Sequence, residues 1–270
     1  PAAERGKNIL YSVFPDRPKH LDPAQSYASD EATFTRQVYE PPLQYHYLKR
    51  PYELIPLTAL EIPQPRRVEK NGATYSVYDI RIKPGIKFQP HPGFVAANLS
   101  LEKPTIEKLK TPYDLPLGTR ELTADDYVYQ IKRLAHPQLH SPIFGLMSEY
   151  IVGLKDYAAR LKAASKPGEW LDLRAHELEG VSRVDEHTYR VTLKGPYPQF
   201  VYWLAMPFFA PMPWEAEKFF HQPGMAEKNF TLDWWPVGTG PFMLAENDPN
   251  ARMVLARNPN FRGEPYPSQG

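Results

Sequence analysis

Apolar and polar positions along the chain fall into short runs rather than long stripes. Residues 8–14 (NILYSVF) are rich in β-formers and closed by Pro15, which predicts a buried strand. A helix is predicted from Ser29: its hydroxyl can cap free N–H groups, and Asp30 and Glu31 suit the positive end of the helix dipole. Phe34, Val38 and Tyr39 fall on one face before Pro41-Pro42 ends the pattern. Residues 66–69 and 74–82 flank Asn71-Gly72, a pair that favours the positive φ of a tight hairpin turn. In the second arm Tyr75, Val77, Asp79 and Arg81 share one side, and Ser76, Tyr78, Ile80 and Ile82 the other.

Further on, residues 90–120 have weak periodicity and many prolines, and read as a long surface excursion. Thr123 opens a helix as its N-cap, with Asp126 reaching back, and Pro137 stops it. A longer helix is predicted over 144–166, where Leu146, Ile151, Leu154, Tyr157 and Leu161 form a broad face. Residues 178–184 and 188–193 form a second hairpin, 199–206 a short apolar helix, and 240–245 and 252–257 late strands. Hairpins mixed with helices, without regular βαβ alternation, predict a mixed α/β fold with at least two subregions and no internal repeat.

Composition narrows the function. The 270 residues carry 32 basic and 31 acidic side chains, and this balance argues against nucleic acid as a partner. Cysteine is absent, which excludes disulfides, Cys-ligated zinc, iron–sulfur clusters and a thiol nucleophile. Proline numbers 31, about twice average usage, and is interleaved with aromatics, as in a folded protein with many ordered, extended connections. The most apolar stretch, 200–214, is broken by Pro207, Pro211 and Pro213 and cannot span a membrane. No apolar run follows residues 1–5, so any export leader is expected to have been removed already.

Catalytic and metal signals are weak. Asp125 and Asp126 are adjacent and diverge by about 100° on a helix, so capping explains them better than catalysis. His136 and His140 are four apart, but Pro137 between them spoils the helical spacing a metal pair needs. No serine sits in a Gly-x-Ser-x-Gly turn, and Gly238-Thr239-Gly240 lacks the framework of a phosphate loop. Glu149, Lys155, Arg160 and Lys162 read as a solvated helix face. Aromatics such as Tyr27, Phe144, Tyr150, Trp203, Trp234 and Trp235 can pack a core or line a cleft. No metal and no cofactor is implied, and a binding module is favoured over an enzyme by exclusion.

Four segments, in order, resemble the extracytoplasmic solute-binding proteins of peptide-type ABC importers, solute-binding family 5. The first is Leu21-Asp22-Pro23-Ala24 followed by Val38-Tyr39-Glu40, with Leu54-Ile55-Pro56 and Ala59-Leu60-Glu61 beyond it. The second joins Tyr78-Asp79-Ile80-Arg81 and Gly85-Ile86-Lys87-Phe88 to Leu122-Thr123-Ala124-Asp125-Asp126-Tyr127. The third pairs Val184-Asp185-Glu186-His187-Thr188-Tyr189 with Pro196-Tyr197-Pro198-Gln199-Phe200. The fourth is Pro236-Val237-Gly238-Thr239-Gly240-Pro241-Phe242 followed by Arg257-Asn258-Pro259-Asn260-Phe261. Residues 90–120 depart from the family pattern as an insertion.

The resemblance implies a periplasmic-binding-protein-like fold of the type II, three-lobe kind, of which this chain is the N-terminal part. Lobe I would take 1–43 plus 195–270, lobe II would be inserted as 44–194, and the ligand-closing lobe III would lie outside the chain. It implies capture of a peptide or other small solute between lobes, then delivery to an ABC permease in the inner membrane. The full-length protein is expected to be a periplasmic monomer. Carried over by position, Tyr27, Ala28 and Ser29 match the loop lining the ligand cleft, and Gly238, Thr239 and Gly240 match a ligand-side turn. Phe144 and Met147 fall where lobe II approaches ligand. The acidic group that holds a peptide's amino end would lie in the absent lobe. A secreted hydrolase and a non-transport interaction scaffold are the alternatives.

Overall fold

The computed structural model describes residues 6, 8–14, 16–248 and 250–264. Its centre is a four-stranded antiparallel sheet of β3 (Arg66–Lys70), β4 (Ala73–Arg81), β5 (Val181–Asp185) and β6 (Thr188–Lys194), in the order β3-β4-β6-β5. Asn71 and Gly72 turn β3 into β4 with φ of 51° and 77°, the left-handed pair that a two-residue hairpin requires. Register explains the two faces. Tyr78 pairs with Val191 and Ile80 with Tyr189, all buried, while the intervening Asp79 pairs with Arg190. Their carboxylate and guanidinium form two bonds of 2.6 and 2.9 Å on the outer face.

Helix α3 (Ala124–Arg133) covers the inner face, where the Tyr127 ring stacks on Tyr189 at 4.9 Å. Its start follows the sequence: the Asp126 carboxylate accepts the Thr123 N–H at 2.9 Å. Asp126 also receives Arg120, and Asp125 points outward to Arg183. His136 Nδ1 accepts the Gln138 N–H at 3.2 Å, a turn role.

Two small antiparallel pairs complete the strands: β1 (Leu43–Tyr45) with β2 (Leu54–Pro56), and β7 (Phe242–Asp248) with β8 (Arg252–Arg257). Helix α1 (Ser29–Val38) packs on β7 through a small cluster of Leu21, Phe34 and Leu244. A single larger cluster runs through the rest, from Val38 and Tyr78 to Phe219 and Val237.

Four expectations fail for physical reasons. Residues 8–14 form no strand: Leu10 and Val13 are 94% and 93% exposed, with no strand beside them to complete a ladder. Pro15, expected to close that strand, lies outside the described residues. Ser29 is the first helical residue, and Ala28 is the N-cap. The long helix is two, α4 (Phe144–Tyr150) and α5 (Leu154–Ala164). Between them Gly153 takes φ +75° and the Val152 N–H leaves the helix for the Thr192 carbonyl at 3.1 Å, so sheet pairing breaks the helix. The solvated face of Glu149, Lys155, Arg160 and Lys162 survives the break.

Residues 90–120 are not a surface excursion. They hold α2 (Lys103–Lys108) and short 3-10 turns, and they bury Ile106, Leu109 and His91. They pack on α7 (Trp214–Phe220), which follows the short α6 (Phe200–Trp203). The His91 ring is ringed edge-on by Phe94, Tyr113, Phe219 and Phe220, with centroids 5.2 to 6.4 Å away.

Burial in that cage drives the His91 imidazole down from 6.5 to about 3. It therefore folds neutral, and its contribution to stability is complete above pH 6.5 and declines as pH falls toward 3. Chemical denaturation is expected to show about 2 kcal/mol less stability at pH 5 than at pH 7 from this group. His91→Gln should shrink that difference, and an unchanged pH dependence would contradict the assignment.

Candidate functional site

The loop entering α1 is held by carboxylates. Asp22 Oδ1 accepts the Ala24 N–H at 2.9 Å, and the Asp22 carbonyl accepts the Gln25 and Ser26 N–H groups. Asp233 Oδ1 accepts the Asp22 N–H at 3.0 Å and its other oxygen meets His20 Nδ1 at 3.2 Å. Burial, helped by the Asp22 charge, raises the Asp233 carboxyl above its ordinary value. Glu31 takes the N–H groups of His20, Tyr27 and Ala28 at 2.8, 3.0 and 3.1 Å. Although burial opposes it, these bonds hold the Glu31 carboxyl below its ordinary value.

Beneath the loop lies an ion network. Arg133, 1% exposed, gives two bonds to Asp22 (2.9 and 2.6 Å) and one to Glu217 (2.7 Å). Its Nη1 also reaches Gln130 Oε1 at 3.0 Å, and Tyr129 donates its hydroxyl to the second Glu217 oxygen. Burial raises the Glu217 carboxyl, but the Arg133 charge and these bonds outweigh it and leave it lowered. One guanidinium thus joins residues 22, 133 and 217.

Among the expected site residues, Tyr27, Ala28 and Ser29 are exposed while residues 21–24 and 26 are buried. Tyr27 is 67% exposed and its ring lies 5.9 Å from that of Phe208. Because Glu31 consumes their N–H groups, Tyr27 and Ala28 have no amide donor left for a ligand. Phe144 is half-buried at the start of α4, whereas Met147 is fully buried in the core. Gly238, Thr239 and Gly240 are buried as well. The Gly240 N–H caps the Val38 carbonyl at the end of α1 at 2.9 Å, and a Cβ on Gly238 would sit 2.0 Å from that oxygen. Thr239 Oγ1 donates to buried Glu40 at 2.8 Å, and Glu40 also takes both Arg262 bonds at 2.8 Å. Close approach to α1 is therefore sufficient reason for both glycines. A half-open cavity of about 320 Å³ lined by Arg17, Lys19, Asp233, Trp234 and Asn247 contains none of the eight residues.

Sequence reading passed over Glu31 as a loop anchor, and Arg133 and Glu217 altogether. No local signal marks Arg133, whose neighbours on its own helix face are Asp126, Tyr129 and Gln130.

The family model for bacterial extracellular solute-binding proteins, family 5 Middle, matches residues 75–269. The chain belongs to this family. It is a family of solute-binding proteins, not of enzymes, so the hydrolase alternative falls. Over 141 residues the chain is 33% identical to the periplasmic oligopeptide-binding protein OppA of Salmonella typhimurium, covering 52% of this chain and 23% of that one. It is 27% identical over 222 residues to the peptide transport periplasmic protein SapA of the same organism, covering 81% of this chain and 31% of that one. The fold matches the periplasmic binding protein DppA from Helicobacter pylori, solved with peptide STSA, with a TM-score of 0.58 at 20% identity. That match covers 91% of this chain and 38% of DppA. The Escherichia coli murein tripeptide binding protein MppA matches with a TM-score of 0.56 at 20% identity, over 91% of this chain and 37% of that one. The chain thus shares a mixed α/β fold with these proteins and spans well under half of their length. Among its described residues no helix is long and apolar enough to cross a membrane.

Two substitutions separate scaffold from surface. Arg133→Met leaves two buried carboxylates unpaired and is expected to cost about 3–5 kcal/mol in denaturant titration. Tyr27→Ala removes an exposed side chain and is expected to change stability by less than about 0.5 kcal/mol. Equal losses would contradict the division.

Proposed function

We propose that the chain is part of a periplasmic peptide-binding protein that captures its ligand between lobes and hands it to an ABC permease. The observation that carries this reading is an exposed trio, Tyr27, Ala28 and Ser29, on a loop otherwise buried and bound to carboxylates, in a chain of this family. A rigid loop with one exposed aromatic side chain meets a ligand at small entropic cost. The names of its relatives, an oligopeptide-binding protein and a peptide transport protein, favour a peptide.

Lobe I comprises 1–43 and 195–270, and lobe II comprises 44–194. The lobe that closes over the ligand lies in the part of such proteins that this chain does not span. Closure is a hinge movement, and no bond of the ligand is made or broken. Tyr27, Ala28 and Ser29 form the ligand-facing edge, with Phe144 approaching from lobe II. Gly238, Thr239 and Gly240 support that edge by fixing the end of α1, and Met147 supports Phe144 from within the core. The protein acts as a monomer, with a peptide and the permease as its partners.

Isothermal titration of the full-length protein with synthetic tri- to pentapeptides tests the proposal. Binding is expected, and Tyr27→Ala should weaken it about tenfold or more, as for an aromatic anchor. The 270-residue chain alone, with part of the cleft, should bind the same peptides weakly or not at all. No binding by the full-length protein would overturn the peptide reading.

A further inference from the structure

We infer that Glu31 is a positioning residue for the ligand-facing loop, holding Tyr27 and Ala28 in their binding conformation before a ligand arrives. The inference rests on the peptide-binding reading and goes beyond it by naming what sets the affinity. The first turn of α1 has unpaired N–H groups, as every helix does. Here the N-cap is Ala28, whose methyl group accepts nothing, and Ser29 lies inside the helix.

From the third helical position the Glu31 carboxylate reaches back to the N-cap N–H and to the loop before it. One oxygen accepts the His20 N–H at 2.8 Å; the other accepts the Tyr27 and Ala28 N–H groups at 3.0 and 3.1 Å. The carboxylate is 2% exposed and so clasps both ends of the loop from the protein side. Charge-assisted bonds of this kind are the strong ones, and an ordered loop spares the ligand the entropy of ordering it.

The middle of the loop has separate anchors. Asp22 is fixed by Arg133 through its side chain and by Asp233 through its N–H. Loss of Glu31 should therefore free the exposed end without unfolding the protein. Glutamine is the graded control. It keeps one acceptor oxygen, and its amide N–H₂ faces backbone donors on the other side.

The test compares full-length wild type, Glu31→Ala and Glu31→Gln by amide hydrogen exchange without ligand, and by titration with a pool of synthetic tri- to pentapeptides. In Glu31→Ala, exchange at Tyr27 and Ala28 should accelerate about tenfold or more while the β4 and β6 amides keep their protection. Affinity should fall about tenfold or more, with Glu31→Gln between alanine and wild type. Unchanged exchange at Tyr27 and Ala28 would overturn the inference. So would faster exchange with unchanged affinity, since a merely structural role lowers stability without altering the affinity of folded molecules. If the wild type binds no peptide, the peptide reading falls and affinity is no longer Glu31's effect, while exchange alone still decides its hold on the loop.

Discussion

A guanidinium cannot be left bare in a protein interior, and Arg133 is buried to 1% exposure. Its positive charge and its planar fork of donors fix where its partners must lie. Asp22 and Glu217 supply the negative charge from chain positions 111 residues before and 84 residues after it. Desolvating three charges is costly, so the network is a weak source of net stability. Its effect is geometric: α3, α7 and the loop before α1 have one arrangement in which every charge is paired. The carboxylate bonds of Asp233 and Glu31 build outward from that point to the exposed trio at residues 27–29.

A second constraint acts at the other end of α1. The Val38 carbonyl lies so close to Gly238 and Gly240 that neither position has room for a side chain. Thr239, Glu40 and Arg262 then tie the same region to the segment after β8. The helix is thus held at its first turn by a carboxylate and at its last turn by a glycine N–H. Both devices are buried, while Tyr27, Ala28 and Ser29 remain exposed.

Much of the fold was legible because local signals and tertiary structure agree. Asn71-Gly72, the alternation along β4 and the Thr123–Asp126 pair each specify a local conformation that the core also wants. Residues 144–166 misled because their helical periodicity is real on both sides of the break. The left-handed turn at Gly153 and the pairing of Val152 with Thr192, 40 positions away in sequence, split them. Proline-rich residues 90–120 misled in the opposite direction: their apolar side chains follow no regular period, yet Ile106 and His91 are fully buried, His91 against α7. The exposed trio was legible only through family resemblance. Arg133 and its carboxylates were not, since three single residues far apart carry no pattern until the chain folds.

The most direct test is the structure of the full-length protein with a peptide bound. The account predicts peptide atoms in contact with the Tyr27 ring and with the backbone of residues 27–29. It also predicts that Glu31 still holds the His20, Tyr27 and Ala28 N–H groups, as it does without ligand. A peptide bound away from this loop, or a loop that abandons Glu31 on binding, would contradict it.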